Sequence, residues 1–339
     1  MIKNFLNYYK ILSFRKISNF IQIETSRILS FLLKRSIVWG APYLISVEPS
    51  SLCDLKCPEC ATGSGIIKRE NTNFDLQLYK ELVDSINSTT FHLLLYFQGE
   101  PLMNNEIFNL IKYSKERNLY TIISTNGQRL YYENSKKVIE SGLDRIIISV
   151  DGTDQSTYQK YRVGGDLKKV IDGTKSLQTL KREKKVYNPE IVFQFLVFRH
   201  NETQVNSFKK FSRKWGADKI WIKTAQVINP DRASEVIPTN ANYSRYAPDG
   251  ENRLKIKSRL KNRCSRLWRT CVITTDGDVI PCCFDKEAKY KMGSFKEETL
   301  SEIWKNEKYN QFRNKILSRR SQIDICNNCS EGLKVYIKK

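Results

Sequence analysis

Ser51-Leu52-Cys53-Asp54-Leu55-Lys56-Cys57-Pro58-Glu59-Cys60 places three cysteines at spacing C-x3-C-x2-C, directly after the short apolar run Tyr43-Leu44-Ile45-Ser46-Val47. Three thiolates from one loop can hold three irons of a 4Fe-4S cube, which leaves the fourth iron without a protein ligand. Cysteine thiolate is the usual protein ligand of such clusters, and an open position is what lets a metal site do chemistry. A zinc knuckle is the competing reading. Three cysteines with no nearby fourth ligand suit a closed tetrahedral zinc site poorly.

Outward from this loop, residues 43–226 alternate between two patterns. Apolar, β-rich runs occupy 43–48, 92–97, 120–124, 145–150, 191–198 and 219–224. Helical patterns lie between them at 75–88, 104–117, 132–141, 167–182 and 204–215. Asn73 or Asp75 can cap the first of these helices, and Gly142 and Gly216 read as C-terminal stops. Six strands alternating with helices predict a parallel sheet with right-handed crossovers. Periodicity leaves open whether that sheet is flat or closed. Active sites of parallel α/β folds form at the C-terminal ends of strands, and the cysteine loop follows the first strand.

Three further strand ends carry polar residues: Gln98-Gly99-Glu100-Pro101, Ser124-Thr125-Asn126-Gly127 and Ser149-Val150-Asp151-Gly152. Tyr161-Arg162-Val163-Gly164-Gly165 follows the fourth strand. Taken singly, Gly-Glu, Asn-Gly and Asp-Gly are ordinary turns. Together with the cysteine loop they resemble the radical S-adenosylmethionine superfamily. The resemblance implies an α/β fold, a partial (β/α)6 TIM-like barrel open on one side. It implies a 4Fe-4S cluster on Cys53, Cys57 and Cys60 that binds S-adenosylmethionine at its open iron. One electron cleaves that cofactor to a 5′-deoxyadenosyl radical, which abstracts hydrogen from a substrate. Gly99 and Glu100 match the family's contact with the cofactor's amino group. Ser124, Asn126, Ser149, Asp151 and Arg162 match positions near its ribose or carboxylate. Glu59 departs from the family, which has an aromatic or apolar residue there against adenine.

Six more cysteines lie beyond residue 263. Val272 to Ile280 reads as a β-hairpin around Asp276-Gly277-Asp278. The spacing Cys264-x12-Gly277-x4-Cys282, followed by Cys326-x2-Cys329, resembles the SPASM and twitch domains of the same superfamily. That resemblance implies a small cysteine-rich α+β domain with a second, auxiliary 4Fe-4S cluster on Cys264, Cys282, Cys326 and Cys329. A four-cysteine zinc ribbon is the rival. Cys271 and Cys283 either substitute as ligands or pack as small apolar residues. His92 and His200, the two histidines, flank strand runs and read as structural.

The expected divisions are basic amphipathic helices over 1–42, the partial barrel over 43–230, a basic linker over 231–263 and the auxiliary domain over 264–339. In the first, Ile17, Phe20, Ile21, Ile28, Phe31 and Leu32 recur at helical spacing among Lys16, Arg27, Lys34 and Arg35. Such a stripe lies on an anionic membrane or packs on the parent domain or a partner. In the linker, residues 253–263 carry a basic residue at every second position, which as a strand gives one cationic face and as a connector means nothing special.

The chain has 339 residues with 57 basic and 36 acidic, a net charge of +21. That balance favours an anionic partner, but no nucleic-acid-binding module is legible. No apolar run approaches the ~20 residues of a membrane span. Lys10, Arg15 and Lys16 interrupt the apolar N-terminus, so no secretory signal is read. Reduced cysteines in the cytoplasm, acting as metal ligands, are the expectation. The resulting function is an oxidoreductase-type enzyme on an unidentified peptide or small molecule, fed by a flavodoxin- or ferredoxin-type reductant. The alternative is a non-catalytic, zinc- or cluster-stabilised binding protein for an anionic partner.

Overall fold

A computed structural model describes residues 11–248, 254–257 and 260–330. Residues 1–10 of the N-terminal segment, Arg253 and Arg259 of the alternating basic run, and residues 331–339 lie outside the described residues.

A 20-residue helix, α1 (Phe14–Leu33), comes first. Six strands follow, β1 (Leu44–Val47), β2 (His92–Leu95), β3 (Tyr120–Thr125), β4 (Arg145–Ser149), β5 (Glu190–Val197) and β6 (Lys219–Thr224), each parallel to the next. Helices α2 (Leu76–Ile86), α3 (Ile107–Glu116), α4 (Tyr132–Glu140), α5 (Gln155–Tyr161), α6 (Leu167–Glu183) and α7 (Val205–Lys214) make the crossovers. Asp75, not Asn73, caps α2 by accepting the Leu78 N–H at 2.7 Å. Gly142 and Gly216 stand at positive φ just past α4 and α7, where a side chain would be strained.

Alternation along each strand sorts the two faces. Ile45, Val47, Leu93, Leu95, Ile123, Ile146, Ile148, Phe193 and Phe195 point to the helices and are fully buried in the main core. Leu94, Tyr96, Tyr120, Ile122, Ile147, Val192 and Trp221 form a separate apolar cluster on the inner face, with Ile11 against it. Ser124, Ser149, Gln194 and Lys223 share that inner face by register. The sheet ends at β6 without closing on itself among the described strands, so the barrel is partial, as expected.

Beyond residue 224, β7 (Tyr246–Pro248) and β8 (Leu254–Ile256) make a small antiparallel pair. Among the described residues the alternating basic run is a strand over 254–256; Lys261, Asn262 and Arg263 are not in a strand. The predicted hairpin forms as β9 (Thr270–Ile273) and β10 (Asp278–Ile280), with Gly277 at φ 84° in the turn. Unforeseen by the sequence, β9 also pairs in parallel with β1, so the hairpin and β11 (Gly293–Ser294) extend the main sheet. Helices α10 (Leu300–Lys305) and α11 (Glu307–Arg319) cover this extension after two short helical turns, α8 (Ala233–Val236) and α9 (Arg266–Arg269), earlier in the chain. No described helix is long and apolar enough to cross a membrane.

Candidate active site

The cysteine loop leaves the C-terminal end of β1 and is braced at its root. Glu48, fully buried, accepts both guanidinium nitrogens of Arg69 at 2.8 Å and the Thr275 N–H at 3.0 Å. Gly99 presses on the same root from the end of β2. Its φ is 66°, and a Cβ there would stand 2.2 Å from the Ser50 carbonyl oxygen, so no other residue fits without backbone movement. The neighbouring Glu100 N–H donates to the Leu52 carbonyl at 2.7 Å.

All nine cysteines are free thiols. Cys57 is buried, and Cys53 and Cys60 are half-buried. Burial pushes the Cys53 thiol up to about 12 and raises Cys57 as well, so a bound cation must displace these protons. Hydrogen-bond donors act against burial and favour the charged sulfurs. Cys53 Sγ receives the Leu55 N–H at 3.5 Å and the Asn126 amide at 3.9 Å; Cys57 Sγ receives the Arg162 guanidinium at 3.8 Å. N–H donors onto ligand sulfurs are a recognised means of tuning iron–sulfur clusters. Among the described residues, no three or more His, Cys, Asp or Glu side chains close around a single ion. A soft, thiol-only donor set on one loop fits an iron–sulfur cluster.

The strand-end residues divide into two groups. Asn126 and Arg162 reach the loop. Asn126 also donates to Asp54 Oδ1 at 2.6 Å, and Ser124 and Ser149 stand on the inner face below it. Glu100 and Asp151 brace these side chains instead. Glu100 accepts from Thr125 Oγ1 at 2.6 Å, the Asn126 N–H at 2.7 Å and the Leu102 N–H at 3.1 Å. Burial nevertheless raises its carboxyl to about 7. Asp151, fully buried, accepts Arg162 Nε at 2.7 Å on one oxygen and the Leu196 N–H at 2.6 Å on the other.

Glu59 has a role that spacing did not reveal. Its carboxylate accepts the Ile228 N–H at 2.7 Å and the Asn229 N–H at 3.3 Å, tying the segment after β6 to the cysteine loop. The other oxygen is buried without a hydrogen-bond partner. It borders a cavity of about 190 Å³ shared with Tyr161, Phe198, His200 and Arg232. His200 stacks on Phe198, and His92 packs edge-on to Tyr120.

The second cysteine group gathers near the start of β9 and the end of β10. Cys264, Cys282, Cys326 and Cys329 are all buried. Cys282 interacts electrostatically with Cys264 and Cys329, and Cys326 with Cys264. Arg320 donates to Cys329 Sγ at 3.6 Å and also bonds Cys326. This donor set too is thiol-only with a cation beside it, and fits a cluster. Cys271 is fully buried in the main core opposite Ile45, which is the packing role. Cys283 accepts from Arg266 at 3.7 Å and lies within electrostatic reach of Tyr96 and Lys223, on the inner face of the sheet. Lys223 was not singled out from sequence. Its place two residues after Trp221 in an alternating strand was the available signal.

Comparison with known proteins agrees with this geometry. Residues 47–204 match the model of the radical SAM superfamily, and residues 264–330 match that of SPASM, an iron-sulfur cluster-binding domain. The chain is 24% identical over 315 residues to the tungsten-containing aldehyde ferredoxin oxidoreductase cofactor-modifying protein of Pyrococcus furiosus, covering 84% of this chain and 86% of that one. It is 24% identical over 293 residues to the S-adenosyl-L-methionine-dependent 2-deoxy-scyllo-inosamine dehydrogenase of Niallia circulans, covering 85% and 92%. In fold it is similar to Streptococcus suis SuiB bound to precursor peptide SuiA, with a TM-score of 0.62 at 15% identity over 89% of this chain and 76% of that one.

Proposed function

We propose that this chain, which belongs to the radical S-adenosylmethionine superfamily and is an enzyme with a SPASM domain, removes hydrogen from a substrate held against the inner face of its sheet, between two iron–sulfur sites. Cys53, Cys57 and Cys60 would hold the cluster that binds S-adenosylmethionine. Cys264, Cys282, Cys326 and Cys329 would hold one auxiliary cluster. The observation that carries the reading is the set of N–H donors on Cys53 and Cys57, from Leu55, Asn126 and Arg162, at the C-terminal end of β1.

With both groups bound, the cofactor supplies hydrogen-atom abstraction after one-electron reduction, and the auxiliary cluster supplies a place for an electron or a substrate ligand. The chain's own residues do the positioning. Asn126 and Arg162 donate to the ligand sulfurs and, with Ser124 and Ser149, would line the place of the bound cofactor. Gly99 lets the second strand end approach the loop. Glu100 and Asp151 act through Asn126 and Arg162. Glu59 ties the loop to residues 228 and 229 and so fixes its position against the segment after β6. Lys223, Tyr96 and Cys283 face the space between the sites, where a substrate with an anionic or hydrogen-bonding group fits.

Both a small molecule and a peptide remain open as substrate class; the dehydrogenase similarity supports the first and the SuiB fold the second. An external flavodoxin- or ferredoxin-type reductant, a cytoplasmic location, contact with an anionic membrane, and the divisions after residues 42, 230 and 263 belong to the same proposal. The non-catalytic binding protein is not favoured, because loop, strand ends and both cysteine sites occur together in one sheet. The test is reductive cleavage of S-adenosylmethionine to 5′-deoxyadenosine. Reconstituted wild type should perform it and Cys57→Ala should not; equal turnover in both would refute the loop assignment.

A further inference from the structure

Helix α1 is amphipathic in the reverse sense for a helix that serves only to pack on its own domain. The side it turns to the protein is largely polar, with Ile23 in the main core and Phe31 against Trp268 as its apolar contacts. Lys16, Asn19, Ile23, Ser26 and Ser30 recur every three or four residues and are buried. Lys16 Nζ donates to the Asn118 carbonyl at 2.7 Å. The Asn19 amide donates to the carbonyls of Ala41 at 3.0 Å and Thr89 at 3.1 Å. The Ser30 hydroxyl donates to the Ile37 carbonyl and accepts the Trp268 indole N–H.

The opposite side is apolar and faces water. Phe14 is 86% exposed, Ile17 45%, Ile21 58%, Ile28 50% and Leu32 71%. At 3.6 residues per turn these positions form one stripe on the far side of the helix from the buried residues. Trp39, beyond the end of the helix, is 51% exposed. A contiguous apolar face of this length marks an interaction surface.

Charge decides what covers it. Arg15 lies at one end of the stripe and Lys34 and Arg35 at the other, all exposed. The one acid in α1, Glu24, is turned away and held by Arg27, Arg269 and Tyr43. A second copy would bring its own Arg15, Lys34 and Arg35 to the same face, on a chain of net charge +21, which opposes self-association. An anionic surface is complementary to it. We propose that the outward face of α1, with the exposed Trp39 beyond its end, lies in the headgroup region of an anionic lipid bilayer, with Arg15, Lys34 and Arg35 against the lipid charge. Apolar insertion plus basic attraction is the usual combination for such helices, and indole rings favour that depth.

The helix crosses the N-terminal ends of β1, β2 and β3, since Ala41, Thr89 and Asn118 precede those strands. The docked protein therefore turns the Cys53–Cys60 loop away from the lipid. The inference deepens the membrane contact named above, giving it a face and a lipid charge, and rests on that reading only for the form of protein used to test it.

The test mixes reconstituted holoprotein with vesicles of phosphatidylglycerol and phosphatidylcholine in equal parts, and with pure phosphatidylcholine vesicles, and measures the sedimenting fraction. Wild type should bind the anionic vesicles at least ~10-fold more tightly than the neutral ones. The double variant Ile21→Glu/Ile28→Glu should lose at least ~10-fold of that binding while keeping its iron content and its cleavage of S-adenosylmethionine. Variant binding equal to wild type overturns the inference. So does wild type that ignores anionic vesicles, whether it remains a monomer or forms a dimer that the double variant dissolves. Cleavage activity on the same samples separates the two readings: intact cleavage without vesicle binding sinks the membrane contact alone.

Discussion

Arg162 is the side chain on which the geometry of the cofactor site turns. Its guanidinium touches Cys57 Sγ and is fixed by the buried Asp151. Removing an outer partner of a metal ligand typically costs about 10- to 100-fold in activity or affinity. Asp151→Asn should therefore keep its iron and slow reductive cleavage by about 10-fold; unchanged cleavage at full iron content would count against the role. The histidines make a separate, pH-dependent prediction. Burial, then Arg145 and Lys16, hold His92 down at about 4. His92 is thus neutral in the folded chain, while the unfolded chain takes up a proton below about 6.5. The stability it contributes is present above 6.5 and is lost as pH falls from 6.5 toward 4. Urea unfolding should weaken by about 1 kcal/mol per pH unit in the lower part of that window from this group, and His92→Phe should flatten the slope. Asn126 and Arg162 were legible from strand-end motifs. Glu59 was not, because its partners are backbone N–H groups of residues 228 and 229, far away in sequence and carrying no side-chain signature.

At the scale of elements, the strand and helix pattern was readable because a buried parallel strand is apolar throughout while its crossover helix is striped. Strand β5 was expected over 191–198 and runs Glu190–Val197; helix α6 was expected over 167–182 and runs Leu167–Glu183. Short α5 was missed, since Gln155 to Tyr161 is polar and spans two turns. The parallel contact of β9 with β1 was also hidden. In sequence β9 reads fully as half of a hairpin, and nothing local marks its other edge. The stripe on α1 was seen, but sequence could not say which side meets the protein; the buried Lys16 and Asn19 reverse the usual assumption. The strand-end loop after β2 gives an element-level test. Gly99→Ala must place a Cβ 2.2 Å from the Ser50 carbonyl at φ 66°, so it should cost at least ~2 kcal/mol in unfolding free energy and loosen the root of the cysteine loop. Near-native stability with full cluster content would contradict the packing described.

Across the whole molecule, the two cysteine sites are linked through the segment after β6: Asn328, beside Cys329, donates to the Val227 carbonyl at 2.7 Å, and the next residue, Ile228, donates its N–H to Glu59 of the cysteine loop. Cys53 follows the end of β1, while Cys264 precedes the start of β9. The inner face, with Trp221, Lys223 and Tyr96, lies between the sites, and α1 crosses the end away from the catalytic loop. Net charge was visible in the composition, but its meaning depended on where the uncovered apolar face lies. Two separate cluster sites are the central claim. The most direct measurement is iron, acid-labile sulfide and zinc per chain after anaerobic reconstitution, on wild type and on Cys282→Ala. The account predicts about eight irons and eight sulfides in wild type, and about four of each in the variant with cleavage of S-adenosylmethionine largely intact. Zinc with negligible iron in wild type, or a variant that keeps its full iron, would contradict it.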